Sequence, residues 1–344
     1  MDPVDALARL ARDLSAPSSP LRARALSAVT ADGALSEVMA RRVLDLTLAR
    51  YAPDALSALR SPRFADRAVR VVLASSVAVA PLRALALPLL HGARSLRVKP
   101  SSRQPRLATL LVDALATHDV DVALDDGSPA DVVVAYGGDD TLTAMRDALP
   151  EGVAFYGYGH GYGASVVTAP SEDAARAVAL DVALHDQRGC LSPRSVLVVG
   201  DARAFALSMH RALVELDGVL PRGPMEVGDA ARALRWMGEQ AAMADALHRG
   251  EGHAVSAWSE ARLVPSPGAR HVAVAGTPDV KVVREALAAH ARYLSVVGVA
   301  GDVGSVTWPE GFSGRVAEAG AMQDPPLDGP EDVRPPMRER ATEE

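Results

Sequence analysis

The sequence predicts an α/β protein built on a doubly wound, mostly parallel sheet with a helical lead-in, and three observations carry that prediction. Short β-branched runs alternate with amphipathic helical stretches from Ala68 onward. The first 68 residues show helical spacing without such runs. No stretch reaches the roughly 18 uninterrupted apolar residues that a membrane span requires.

Residues 1–68 set Ala- and Leu-rich patches against Arg and Asp, as with Val38, Met39, Val43, Leu44, Leu46 and Leu48, which predicts a helical N-terminal segment. Five runs then read as strands: VRVVLA (69–74), SLRV (95–98), VDVAL (120–124), DVVVAY (131–136) and VAFYG (153–157). Helices are expected between them over 81–93, 104–118 and 139–149. In the second of these, Leu107, Leu110, Leu111, Ala114 and Leu115 follow the i, i+3, i+4, i+7, i+8 pattern of one buried face. Ligands of such sheets sit at the carboxyl ends of the strands.

A Gly-rich loop and a short strand ASVVT lead into a helix expected over 171–186, with Ser171 as N-cap and Glu172 and Asp173 in its first turn. A second α/β unit follows: strand SVLVV (195–199), then a helix over 202–216 with Phe205, Met209, Leu213 and Leu216 on one stripe. Residues 226–250 read as helix, 253–275 as short strands, and 280–301 as helix into strand. Beyond Gln323 the Pro- and charge-rich tail predicts an arm or a disordered segment.

The chain has 344 residues, 49% hydrophobic and 23% charged, with room for two or three domains at roughly 100–200 residues each. The N-terminal MDPVDALARLARDL lacks the long apolar segment of a secretory signal, so a cytoplasmic protein is expected. One cysteine forms no internal disulfide, which agrees with a reducing compartment. A net charge of −7 argues against a nucleic-acid partner, although Arg94, Arg97, Lys99, Arg103 and Arg106 could hold a small anion.

Three places could carry chemistry. Cys190, in HDQRGCLSPRSVLVV, is either a buried apolar filler or a nucleophile on a loop. The preceding glycine and the flanking Arg188 and Arg194 favour an approachable thiolate. Lys99, Ser101, Ser102 and Arg103 follow a strand, where they form either a solvated turn or an anion-binding group; the pattern is not a P-loop. Gly157, Gly159, Gly161 and Gly163 surround His160 without a clean G-x-G-x-x-G, and His160 is either locally satisfied or an acid–base group. His185 is placed on the preceding helix and read as structural. No His or carboxylate spacing suggests a metal site.

In order along the chain, KPSSR (99–103), VVVAYGGDD (132–140), YGYGH (156–160), DQRGCLSP (186–193), LPRG (220–223) and GAMQDPPL (320–327) resemble the acyl-CoA reductase (LuxC-type) family of the aldehyde dehydrogenase superfamily. The SPLRARAL lead-in fits the same pattern, and the resemblance runs over roughly residues 20–335. It implies an aldehyde-dehydrogenase-like fold, with a helical segment over 1–68, an NADP-binding Rossmann-like domain over 69–186, a catalytic domain over 187–310 and a C-terminal arm, partly disordered, over 311–344.

The resemblance also implies a reaction. Cys190 would take an acyl group from an acyl-CoA or acyl-carrier thioester, and NADPH would reduce the enzyme thioester to a fatty aldehyde. Lys99, Ser101, Ser102, Arg103, Gly137, Gly157 and Gly159 would hold the cofactor; Ser102 replaces the glutamate of NAD-preferring relatives, which suits a 2′-phosphate. His160 is the candidate acid–base group, and a homo-oligomer is expected. Ser76, in ASSVA (74–78), stands where the family usually has an oxyanion-stabilising asparagine, and losing such a donor typically costs about a hundred- to a thousand-fold in rate. The alternatives are a catalytically degenerate member that binds nucleotide or a partner protein, and a cofactor-free cysteine acyltransferase or hydrolase.

Overall fold

A computed structural model describes residues 1–75 and 77–327. Ser76 and the tail from 328 onward, with the disorder expected there, lie outside the described residues. Four helices open the chain: α1 (Pro3–Ser15), α2 (Pro20–Gly33), α3 (Glu37–Leu48) and α4 (Pro53–Ala58). Asp2, Ser19 and Ser36 cap the first three by accepting backbone N–H bonds, and prolines open α1, α2 and α4, where their missing N–H costs nothing.

The first sheet contains β1 (Ala68–Val72), β2 (Ser95–Lys99), β3 (Val122–Leu124), β4 (Val132–Tyr136) and β5 (Ala154–Tyr158), linked by α5 (Ala80–Leu90), α6 (Arg106–Ala116) and α7 (Asp139–Asp147). It is parallel throughout, in the order β3-β2-β1-β4-β5. That is the doubly wound order of nucleotide-binding sheets, with its reversal between β1 and β4. Leu7, Leu14, Met39, Val43 and Leu44 of the lead-in share one core with Val69, Val71, Leu96 and Val98 of the strands, so the N-terminal helices pack onto this sheet. On the other face α7 places Leu142 against Val133, Ala135 and Phe155.

The second sheet holds β6 (Tyr162–Val167), β7 (Pro193–Val199), β8 (Ala246–Arg249), β9 (Ala254–Trp258), β10 (His271–Thr277), β11 (Leu294–Ala300) and β12 (Arg315–Glu318), with α8 (Glu172–Ala183), α9 (Ala202–Val219), α10 (Val227–Met243) and α11 (Val280–Ala288) between them. Its order is β12-β11-β6-β7-β10-β9-β8, parallel except for the hairpin of β8 and β9. Helices α8 and α9 cover one face through Val178, Val182, Phe205, Met209 and Leu213. Trp236, Val283 and Leu287 cover the other. Strands β6, β9, β10 and β11 are buried along their whole length, as strands covered by helices on both faces are.

Three particulars differ from the sequence reading. Helix α10 stops at Met243, because residues 246–249 pair with β9 across a turn containing Gly250 and Gly252. Strand β6 and helix α8, placed by sequence with the cofactor domain, join the second sheet, so sheet membership changes at residues 159–161. The stretch 315–318, read as part of an arm, is an edge strand on β11. Each is decided by strand pairing, across a short hairpin for 246–249 and with more distant strands for the other two. Among the described residues no helix is long and apolar enough to cross a membrane.

Candidate active site

The crevice at the carboxyl end of the first sheet gathers most of the residues expected to bind cofactor. Lys99 ends β2, is exposed, and its carbonyl accepts the Leu73 N–H at 3.0 Å, which ties it to the end of β1. Ser102 and Arg103 are exposed beyond it, and the Ser101 hydroxyl accepts the Arg103 N–H at 3.2 Å. Gly137 follows β4 and donates to the Tyr158 carbonyl at 3.2 Å, while the Tyr136 and Tyr158 rings stack at 5.1 Å.

The glycines divide by role. Gly157 lies inside β5, where a Cβ would come within 2.7 Å of the Phe155 ring, so it serves close packing. At Gly159 a Cβ would collide with the Asp139 carboxylate, which accepts the His160 N–H at 2.7 Å. The chain thus crosses the start of α7 at a glycine and passes directly from β5 into β6. His160 is exposed at that crossing, its ring 6.4 Å from Tyr162 and 6.3 Å from Tyr293.

Cys190 sits on the loop between α8 and β7. A 3-10 turn at Leu184–Gln187 follows α8, with His185, Asp186 and Gln187 all left-handed at φ of 55°, 52° and 60°. Each such non-glycine residue costs on the order of 1 kcal/mol or more and persists only where neighbours hold it. Fully buried Arg270 donates from Nε and Nη2 to Asp186 Oδ1 at 3.0 and 2.7 Å, and from Nη1 to Asp217 at 2.6 Å. Gln187 Nε2 donates to the carbonyls of Pro193 and His271 at 2.6 and 2.8 Å. The LPRG motif is fastened to the same pair, since Asp186 Oδ2 accepts the Gly223 N–H at 3.0 Å and Arg270 donates to the Leu220 carbonyl at 2.8 Å. Arg188 reaches back to the Gly33 carbonyl at 2.7 Å, joining the loop to the end of α2.

The loop presents Cys190 half-buried at a cavity. Val77 and Val79, from the segment after β1, line it beside Arg50, Arg83, His185 and Gly189, so the thiol faces the carboxyl edge of the first sheet. A Cβ at Gly189 would come within 3.0 Å of Val77, and glycine keeps the loop close to that segment. Burial holds the half-buried Arg194 guanidinium down to about 10, while charge on Cys190 pulls it upward. It therefore stays cationic at neutral pH and favours a thiolate at Cys190.

The GAMQDPPL motif completes the cavity wall. Gln323, Pro325 and Leu327 line it, and Gln323 Nε2 donates to Ser192 Oγ at 2.9 Å. Asp181 of α8 anchors this segment by accepting the N–H groups of Gly320 and Met322 at 2.6 and 3.0 Å. Gly298 and Gly163 leave space for Met322, whose Sδ a Cβ at Gly298 would approach to 2.5 Å. Arg83 donates to the Pro326 carbonyl at 3.0 Å, and Arg50 pairs with Asp324.

Burial pushes the Asp181 carboxyl up to about 7 from an ordinary 3.8, against the pull of those N–H donors. A folded-state value raised in this way stabilises the fold below the ordinary value, and that contribution is lost as pH rises through about 7. The stability of the wild type relative to an Asp181→Asn variant should fall from about pH 4 to about pH 7 and then level off. Urea denaturation across that range checks this, and a flat difference would refute it.

Of the residues expected to hold the cofactor, Lys99, Ser101, Ser102, Arg103, Gly137 and Gly159 follow the carboxyl ends of β2, β4 and β5, with His160 beside them, whereas Gly157 lies inside β5. Sequence reading put His185 on the preceding helix in a structural role, whereas His185 lies in the turn past α8 and lines the Cys190 cavity; Arg50, Arg83 and Gln323 it left unassigned. Of these, Gln323 carried a signal, through its motif. His160 is not among the residues lining the Cys190 cavity. Ser76 lies outside the described residues, one position before Val77. Among the described residues no cluster of His, Cys, Asp and Glu could hold a metal ion.

A family model described as acyl-CoA reductase (LuxC) matches residues 60–328. The chain is 28% identical over 156 residues to long-chain acyl-protein thioester reductase 2 of Photobacterium leiognathi, covering 39% of this chain and 33% of that one. It is 32% identical over 111 residues to the long-chain acyl-protein thioester reductase of Aliivibrio fischeri, covering 31% of this chain and 23% of that one. The matched stretches thus span a third or less of each relative. The fold is similar to that of an NAD-dependent benzaldehyde dehydrogenase from Corynebacterium glutamicum, with a TM-score of 0.68 at 13% identity over 93% of this chain and 82% of the other. The aldehyde-dehydrogenase-like architecture implied by the ordered motifs is the observed one, and the chain belongs to the acyl-CoA reductase (LuxC) family.

Proposed function

We propose that this protein reduces a fatty acyl thioester, carried on coenzyme A or on a protein, to an aldehyde at the expense of NADPH. The observation that carries the reading is the placement of Cys190: a half-buried thiol on a strained, tethered loop, facing the segment that leaves β1 at the nucleotide-type crevice. The names of the two relatives support an acyl thioester as substrate.

Cys190 Sγ bonds to the thioester carbon and the substrate's thiol leaves, so the acyl group is held on the enzyme. NADPH, when bound, supplies the hydride. The carbon–sulfur bond to Cys190 then breaks, the aldehyde departs and the Cys190 sulfur takes up a proton from solvent, which restores the thiol. The walls from Val77, Val79, Leu191 and Leu327 exclude water from the enzyme thioester, which favours reduction over hydrolysis. Lys99 and Gly137, at the carboxyl ends of β2 and β4, would hold the cofactor, and Gly159 lets the chain pass close to Asp139 at the start of α7 beside them.

A dinucleotide sheet that prefers NAD places a carboxylate at the end of its second strand to bind the ribose 2′-hydroxyl. Here Lys99 ends β2, and the half-buried Ser101 and exposed Ser102 and Arg103 that follow include no carboxylate, which supports a 2′-phosphate there. Ser102→Glu should weaken NADPH by about tenfold or more and NADH less, since it sets like charges together at the surface. Fluorescence titration of both nucleotides reads this, and equal wild-type affinities would overturn the NADPH assignment. A homo-oligomer in the cytoplasm is part of the same reading; light scattering of the purified protein tests the assembly.

Incubation with acyl-CoA, followed by intact-mass analysis and absorbance at the nicotinamide band, tests the reaction. An acyl adduct that disappears on addition of NADPH is expected. Cofactor-dependent stabilisation without an adduct would instead favour a nucleotide-binding relative without catalysis.

A further inference from the structure

His185 sits five residues before Cys190, past the end of α8, and lines the same cavity. Its side chain is buried at 6% exposure, and Nδ1 has no hydrogen-bond partner among the described residues. A buried polar nitrogen without a partner is unfavourable, and its backbone is held left-handed as well. Two unfavourable features at one residue beside the lone thiol are accounted for if the imidazole bonds to something present only during the reaction.

We propose that His185 is the acid–base partner of Cys190. As Sγ bonds to the thioester carbon, the thiol proton passes to the imidazole; as the substrate's carbon–sulfur bond breaks, the same proton passes to the departing sulfur. One carbon–sulfur bond forms and one breaks, with no change of oxidation state and no net proton. The identity of the thioester rests on the reductase reading; the thiol–imidazole pair does not.

The surroundings suit a neutral base. Burial lowers the imidazole to about 4, so it is uncharged at physiological pH and takes the proton only as Sγ bonds to carbon and its S–H becomes strongly acidic. The charged groups at the cavity are Arg50, following α3 and paired with Asp324, and Arg83 of α5. Both are cations that line the cavity together with Cys190 and His185. The nearby carboxylates are engaged elsewhere, Asp181 with the N–H groups of Gly320 and Met322 and Asp186 with Arg270.

The test is the pH dependence of Cys190 alkylation by iodoacetamide in the wild type and in His185→Asn. Asparagine tolerates the left-handed backbone and keeps a polar side chain but carries no titratable proton. The expected wild-type rate is level from below pH 6 upward, whereas the variant's rate climbs with thiol ionisation over that range, tenfold or more slower than the wild type at pH 6 and equal to it once the thiol is fully ionised. Superimposed profiles would overturn the proposal. A wild-type profile that is a single titration near the ordinary thiol value would do so as well, even if the variant fails to fold. Neither readout needs acyl substrate or nucleotide, so failure of the reductase reading appears separately, as absence of the acyl adduct.

Discussion

Cys190→Ser should abolish the acyl adduct and lower NADPH-dependent reduction of acyl-CoA by about four orders of magnitude or more, the loss seen when a covalent nucleophile is removed. Serine is close to isosteric, so the loop and its tethers to Arg270 and Gln187 should persist, and the variant's thermal midpoint should match the wild type. That combination isolates chemistry from folding. The hydroxyl is far less ionised than a thiol near neutral pH, and the Arg194 cation that favours a thiolate here cannot close that gap. Turnover of acyl-CoA by the variant at the wild-type rate would remove Cys190 from the mechanism.

The largest effect on stability is expected at Arg270. Its side chain is fully buried, and Asp186, 2% exposed, takes two of its N–H groups. Arg270→Met keeps much of the volume but strands the Asp186 carboxylate, and breaking a buried pair in this way costs about 3–5 kcal/mol. The same change frees the Leu220 carbonyl and loosens the turn that presents Cys190. Arg176 offers a control: its pair with the exposed Asp173 on α8 should contribute less than about 1 kcal/mol. Urea denaturation of the two variants, compared with wild type, reads the difference. A loss at Arg270 no larger than at Arg176 would show that the network does not hold the loop.

Much of the fold was legible because its signals are local. Ser171 caps α8 by accepting the Ala174 N–H at 3.1 Å, and a capping hydroxyl followed by two acidic residues needs no distant partner to be recognised. The apolar stripe of α9 lies buried as its spacing requires. The helical pattern that carried 226–250 past Met243 shows the limit. In a run as short as 246–249 period alone does not separate helix from strand, and pairing with β9 decides.

The chain by itself determined the alternation of strands and helices, the position of the lone thiol between a helix and a strand, and the polar carboxyl edge at Lys99. All of these follow from residues close together in sequence. Only the tertiary structure decided which sheet β6 joins, that residues 320–327 wall the cysteine cavity 130 and more positions downstream, and that His185 rather than His160 shares that cavity. These appositions are made by sheet order and by buried tethers such as Asp181 to Met322 and Arg270 to Asp186, whose partners lie 141 and 84 residues apart. Helical and strand periods carry no information at that range, because they record which face of an element is buried and not what buries it.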